Sequence, residues 1–143
     1  MTAHQGRYIE DLEVGMTEEF VKTVSQSDIE LFADVSGDTN PLHLDDDYAA
    51  TTMFKTRIAH GMLTASFIST ILGTRLPGPG CIYLSQSIRF KAPVKPGDEV
   101  TARAVLSELD RDRRRATFSC ECLVGELVVL DGVAQVLVPS RTV

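Results

Sequence analysis

Between positions 60 and 73 the chain reads His-Gly-Met-Leu-Thr-Ala-Ser-Phe-Ile-Ser-Thr-Ile-Leu-Gly, without one Asp, Glu, Lys or Arg. A helix that is apolar or small on nearly every side has no face suited to water, so the pattern predicts a buried central helix surrounded by other elements. Ahead of it, residues 18–24 alternate as a strand, and Ile29, Phe32, Ala33 and Ser36 recur at three- and four-residue spacing as one face of a helix. Two overlapping start signals, Ser25 with Asp28 and Ser27 with Glu30, place the beginning of that helix near Gln26, and Gly37 stands where a left-handed C-terminal cap falls. Residues 8–14 form a lead-in with the apolar pair Leu12 and Val14, and residues 1–6 read as a loose tail.

Leu76-Pro77-Gly78-Pro79-Gly80 stops the central helix, and from Cys81 the period changes to two. Ile82, Leu84, Ile88 and Phe90 fall on one face and Tyr83, Ser85, Ser87, Arg89 and Lys91 on the other, which predicts a half-buried strand. After a connection at 92–98, Val100, Ala102, Ala104 and Leu106 alternate up to a charged turn at 110–114. Residues 116–124 and 127–138, joined at Gly125-Glu126, complete a three-stranded meander. The expected class is α+β, an antiparallel sheet wrapped around a long central helix.

With 143 residues and 43% hydrophobic content, a single domain over 1–143 is expected. The balance of 14 basic against 20 acidic residues gives a net charge of −6, and no basic run exceeds Arg113-Arg114-Arg115, so nucleic acid is not an expected partner. No apolar run reaches membrane length and none follows the amino-terminal charge, which predicts a cytoplasmic chain without a membrane partner. Cys81, Cys120 and Cys122 lack metal spacing and read as buried free thiols.

The first stretch with chemistry in it is Asp38-Thr39-Asn40-Pro41-Leu42-His43. Pro41 keeps Asn40 out of the helical region and predicts a stiff, irregular segment between two helices. A carboxylate and an imidazole on one stiff segment can converge on a single water, one accepting a proton while the other donates. The same string also suits a plain loop, with Asp38 and Asn40 bonding nearby backbone and His43 a partly buried polar side chain. Asp45-Asp46-Asp47 reads as the acidic first turn of a short helix, since consecutive side chains do not converge on one cation. At the start of the central helix, the Gly61 N–H lies at the positive end of the helix dipole, either bare or ready to receive developing negative charge. His60 is expected to pack and hydrogen-bond there, a structural role.

Three motifs in order, Ser36-Gly37-Asp38-x-Asn40-Pro41-x-His43, then Ile58-Ala59-His60-Gly61-Met62-Leu63, then Phe90-Lys91-x-Pro93-Val94-x-Pro96-Gly97-Asp98, resemble the MaoC-like dehydratases, and among them the (R)-specific enoyl-CoA hydratases. The resemblance implies a hotdog fold and reversible hydration of trans-2-enoyl-CoA to (R)-3-hydroxyacyl-CoA, with no metal or redox cofactor. It implies that Asp38 and His43 are the catalytic dyad, Gly61 the backbone donor to the thioester carbonyl, and Asn40 a supporting residue. Ser66 can bond into the dyad or to its own preceding carbonyl. Leu63, Phe67 or residues of the last strands are candidates to close the far end of the acyl tunnel. Arg75, Arg89, Lys91 and Lys95 are candidates for the coenzyme A phosphates. Competing readings are a 3-hydroxyacyl-[acyl-carrier-protein] dehydratase, a hotdog acyl-CoA thioesterase and a non-catalytic lipid-binding module. The small sheet around an apolar helix also predicts a homodimer that covers an open strand edge.

Overall fold

Ser25 and Asp28 resolve the overlapping helix-start signals. In the computed structural model, which describes residues 4–142, the Ser25 hydroxyl accepts from the Asp28 N–H at 3.0 Å and the Asp28 carboxylate accepts from the Ser25 N–H at 2.9 Å. Helix α1 (Gln26–Ser36) follows this reciprocal cap and ends on Gly37 at φ 79°, the left-handed conformation that glycine adopts without strain. Two single-turn helices come next, α2 (Pro41–Leu44) and α3 (Asp46–Ala50), and then the long helix α4 (Gly61–Thr74). The Asp45 side chain accepts from the Asp47 and Tyr48 N–H groups, so the acidic run caps α3.

Five antiparallel strands, β1 (Thr17–Thr23), β2 (Ile82–Phe90), β3 (Glu99–Asp110), β4 (Arg115–Val124) and β5 (Leu127–Leu137), form one sheet in the order β1-β3-β4-β5-β2. The alternation in β3 is realised directly. Val100, Ala102, Ala104 and Leu106 are fully buried, and across the register they meet β4, with Ala102 opposite Cys122, Ala104 opposite Cys120 and Leu106 opposite Phe118. These small and medium side chains let α4 lie close along the sheet, where Ile68, Ile71 and Leu72 fill the core. On the opposite face Arg103 joins Glu19 and Glu121, its register partners on the two neighbouring strands. Gly132 on β5 is required by a close approach, since a Cβ there would stand 1.8 Å from the Ser87 carbonyl oxygen of β2.

Two expectations need correction. The central helix is not enclosed on all sides, because Met62, Ser66, Ser69 and Gly73 form an exposed stripe at helical spacing. Strand β2 is not half-buried either. Ile82 and Phe90 are each 57% exposed, Leu84 is exposed, and a register shift between Tyr83 and Ser85 interrupts the ladder at Leu84. Only Ile88 of the expected apolar face packs partly against the core. The physical reason is shared: β2 is a sheet edge beside α4, and among the described residues nothing covers that side.

The lead-in splits, with Leu12 in the core and Val14 exposed on a turn. Of the tail expected to be loose, residues 1–3 lie outside the described residues. Gly6 is tied down, its N–H donating to the Pro79 carbonyl at 2.8 Å. Among the described residues no helix is long and apolar enough to cross a membrane.

Candidate active site

The segment from Gly37 to His43 is held by its own polar side chains. The Ser36 hydroxyl accepts from the Asp38 N–H at 3.1 Å, the Asp38 carboxylate from the Asn40 N–H at 3.2 Å, and the Asn40 amide oxygen from the Leu42 N–H at 3.1 Å. Instead of an irregular stretch, Pro41 opens a one-turn helix whose N-cap is Asn40. Proline suits that position because its missing N–H would have no partner there. Asn40 therefore stiffens the backbone between Asp38 and His43. His43 is buried in α2, and its Nδ1 lies 2.7 Å from the Ile58 carbonyl oxygen. A carbonyl only accepts, so Nδ1 carries the hydrogen and Nε2 has the free lone pair in the neutral ring. Burial is the largest influence on this imidazole and pushes its pKa down. The Ile58 carbonyl resists that shift, the neighbouring His60 adds to it, and the Asp38 carboxylate opposes it weakly.

His60 is the N-cap of α4, with φ −60° and ψ 133°, and its Nε2 donates to the main-chain carbonyl of Asp38 at 2.9 Å. Its ring stacks on His43 with centroids 3.8 Å apart and planes 28° from parallel, and the Phe32 ring lies at 4.9 Å on a tilted approach. The first N–H of α4 with an acceptor is that of Leu63. Among the described residues, the Gly61 and Met62 N–H groups have none. A Cβ at position 61 would lie 2.6 Å from a ring carbon of Phe90, so a side chain there requires that ring to move.

Asp38, His43, His60 and Gly61 share a cavity of about 410 Å³. The remaining wall is mainly apolar: Phe54, Ile58, Ala59, Met62, Phe90, Ala92, Pro93, Val94, Val129 and Leu130, with Lys91 the one basic residue. A mostly apolar cavity with a few convergent polar groups is the usual form of a small-molecule site. The connection 92–98 is pinned to the start of α4 by the Ala59 N–H, which donates to the Val94 carbonyl at 2.7 Å. Ligand atoms of Asp38, His43 and His60 come within 4.8 Å of one another. Stacked imidazoles direct their lone pairs along nearly parallel planes, however, and cannot both reach the ~2.0–2.1 Å of a metal–nitrogen bond to one ion. The arrangement suits proton transfer beside an apolar chain, with backbone donors for developing charge.

Three candidates lie elsewhere. Leu63 faces α1, beside Phe32 and Val35, and Phe67 packs on Phe20 at 5.8 Å, so neither lines the cavity. The Ser66 hydroxyl donates to the Leu63 carbonyl at 2.5 Å, the ordinary bond of a helical serine, rather than into the dyad. Of the basic residues, Arg75 bonds the Glu19 carbonyl and lies over the Phe20 ring, away from the site. Arg89 and Lys91 both pair with Asp131. Val129 and Leu130 belong to the last strand, among the residues expected to close the tunnel, but no local pattern marks these two. A register shift between Cys122 and Leu123 lets consecutive apolar residues both turn inward, and the unalternated run Leu127-Val128-Val129-Leu130 is its only trace.

The family described as MaoC like domain matches residues 12–126. The (R)-specific enoyl-CoA hydratase of Rhodospirillum rubrum is 55% identical over 134 residues, covering 94% of this chain and 93% of that protein. The 3-hydroxybutyryl-CoA dehydratase of Methylorubrum extorquens is 54% identical over 134 residues, covering 94% and 85%. The solved structure of R-hydratase PhaJ1 from Pseudomonas aeruginosa, in the unliganded form, superposes with a TM-score of 0.90 at 43% identity, covering 96% of this chain and 88% of that one. The sheet wrapped on a long helix is the hotdog fold that the motifs implied, and the chain belongs to the MaoC-like domain family.

Proposed function

We propose that this protein is an (R)-specific enoyl-CoA hydratase, adding water reversibly to trans-2-enoyl-CoA to give (R)-3-hydroxyacyl-CoA. The observation that carries the reading is one apolar cavity in which the Asp38 carboxylate and the His43 imidazole meet the Gly61 N–H, a donor without an acceptor among the described residues. Water attacks C3 and gives up a proton to one member of the pair. Electron density moves through C2 onto the thioester oxygen, where the Gly61 N–H, oriented before the reaction, stabilises it. The other member then protonates C2. The pair starts with one proton, holds two after water has given one up, and returns to one when C2 is protonated, and the reverse sequence dehydrates the product. Both groups project from one short segment, so the two new bonds form on the same face. Asp38, His43 and Gly61 are the residues we assign to this chemistry, with Asn40 supporting the loop.

The test is a panel of trans-2-enoyl thioesters followed by loss of the conjugated enoyl-thioester absorbance, with coenzyme A and acyl carrier protein as alternative carriers. Faster turnover on the acyl-carrier-protein substrates would move the reading to the dehydratase of fatty-acid synthesis. Release of free thiol would move it to a thioesterase, against which the absence of any carboxylate from 61 to 73 already argues. The exposed stripe of α4 and the apolar edge β2 support a homodimer in which two β2 strands pair and two α4 helices lie side by side. The other edge, β1, carries Glu18, Glu19 and Lys22 and is poorly suited to that role. Three unpaired cysteines fit the reducing cytoplasm.

A further inference from the structure

We infer that His60 is a positioning residue of this site, the side chain that holds the Asp38–His43 pair in register with the Gly61 donor; the inference rests on the hydratase reading above. His60 is 2% exposed and enclosed between the rings of Phe32 and His43. A neutral imidazole has one N–H, and here it is committed to the Asp38 carbonyl, which leaves Nδ1 as a buried acceptor with no partner among the described residues. An unpaired buried acceptor lowers stability, and an apolar ring of similar size would fill the same space without one. Packing alone therefore does not account for an imidazole at position 60.

What the imidazole supplies is a bond between two segments 22 residues apart, the start of α4 and the loop that carries the acid–base pair. Its ring face also sets the plane of His43, whose Nδ1 is fixed to the Ile58 carbonyl. Gly61 is the next residue in the chain. One side chain thus references the carboxylate, the imidazole and the oxyanion donor to one another. Proton transfer is sensitive to such placement, and a misplacement of about 1 Å can cost roughly 10²-fold in rate.

Three substitutions separate the donor from the ring. His60→Gln places an amide nitrogen about where Nε2 sits and keeps the donor without the ring. His60→Phe keeps the ring without the donor. His60→Asn is too short to reach the Asp38 carbonyl. The expected result is a kcat loss of roughly 10- to 100-fold for Phe and Asn with KM within about threefold, a loss of under about fivefold for Gln, and no fall in Tm for Phe. The chain has three histidines, and ring ¹⁵N shifts should show opposite tautomers, Nε2–H for His60 and Nδ1–H for His43. Unchanged kcat in all three variants overturns the inference, as does a loss in Gln equal to that in Phe and Asn, a KM that rises in step with the fall in kcat, or an Nδ1–H tautomer of His60. If Phe fails to fold, the contrast between Gln and Asn decides. Asp38→Asn is run alongside: an active wild type with an inactive Asp38→Asn keeps the hydratase reading even where the His60 inference fails. An inactive wild type removes that reading, and the tautomers then decide whether His60 holds Asp38.

Discussion

Gly61→Pro and Gly61→Ala differ in a way that isolates one N–H. Any side chain at 61 meets the Phe90 ring, at 2.6 and 2.8 Å from its nearest carbons, so both variants crowd the same neighbour. Phe90 is largely exposed and its ring can swing outward, and we expect Gly61→Ala to keep kcat within about tenfold of wild type. Proline adds the loss of the donor. The backbone tolerates it, because position 61 is the first of the helix and His60 already has the extended conformation that a following proline demands. Removing one preorganised oxyanion donor costs about 10²–10³ in kcat, or ~2.7–4 kcal/mol of transition-state stabilisation. The prediction is that Gly61→Pro falls below Gly61→Ala by that factor, and that adding Phe90→Ala to each relieves the crowding without closing the gap. The assay is hydration of a short enoyl-CoA at saturating and limiting concentration, with circular dichroism to check the fold. A Gly61→Pro protein as fast as Gly61→Ala would leave the start of α4 with no part in the chemistry.

Asp38→Asn and His43→Gln are each expected to lower turnover by about 10²–10⁴ with the fold retained, and the double variant to be little worse than either. Losses that simply multiply would show that the two do not act on one water. Hydration in D₂O should place deuterium at C2 on the face that receives the hydroxyl, and an anti product would refute the shared-face geometry. Sedimentation at micromolar concentration should show a species of twice 15.6 kDa, reduced to monomer by Met62→Lys or Leu84→Lys. A wild-type protein sedimenting only at 15.6 kDa would exclude the dimer. Burial holds folded His43 below its ordinary value of 6.5, so between that lowered value and 6.5 the unfolded chain binds more protons than the folded one. Stability should therefore rise as pH climbs through this window and be lost as pH falls through it. His43→Gln should flatten the urea midpoint there, and the depressed carboxylates act at lower pH, Glu10 below 4.5 and Asp11, Asp28 and Asp131 below 3.8. Equal slopes in the two proteins would refute this assignment.

The parts of the fold legible in the sequence are those whose cause is local. The Ser25–Asp28 cap, the left-handed Gly37 and the alternation of β3 each depend on residues a few positions apart, and each appears where the pattern puts it. The candidate pair was legible for the same reason, since Gly37, Asn40 and Pro41 fix the short path from Asp38 to His43. The phase of α4 was not. A helix without charges is equally apolar on every side, so nothing local distinguishes the side bearing Leu63 and Phe67 from the side bearing Met62 at the cavity. Alternation in β2 reads the same whether its apolar face meets the core of its own chain or another surface. The bond from His60 to the Asp38 carbonyl is a property of the folded backbone, and no pattern of side chains announces it.

The pairing of β1 with β3 has a consequence for how the chain reaches its fold. β1 ends at Thr23, but the residue opposite it is Glu99, so the first strand made has no sheet to join until helices α1 to α4 and strand β2 have all been synthesised. The same delay leaves α4 without most of the surface that buries it until residues 99–137 are present. Only β3, β4 and β5 are joined by short turns, and this meander can form before any distant loop is closed. Folding should therefore nucleate near the carboxyl end and run backward along the sequence, with β1 docking late. On the ribosome the uncharged helical segment stays unshielded until residues 99–137 have followed it, the circumstance in which chaperone capture and aggregation compete with folding. Pulse-labelled hydrogen exchange during refolding should protect the amides of β4 before those of β1, and simultaneous protection would exclude that order.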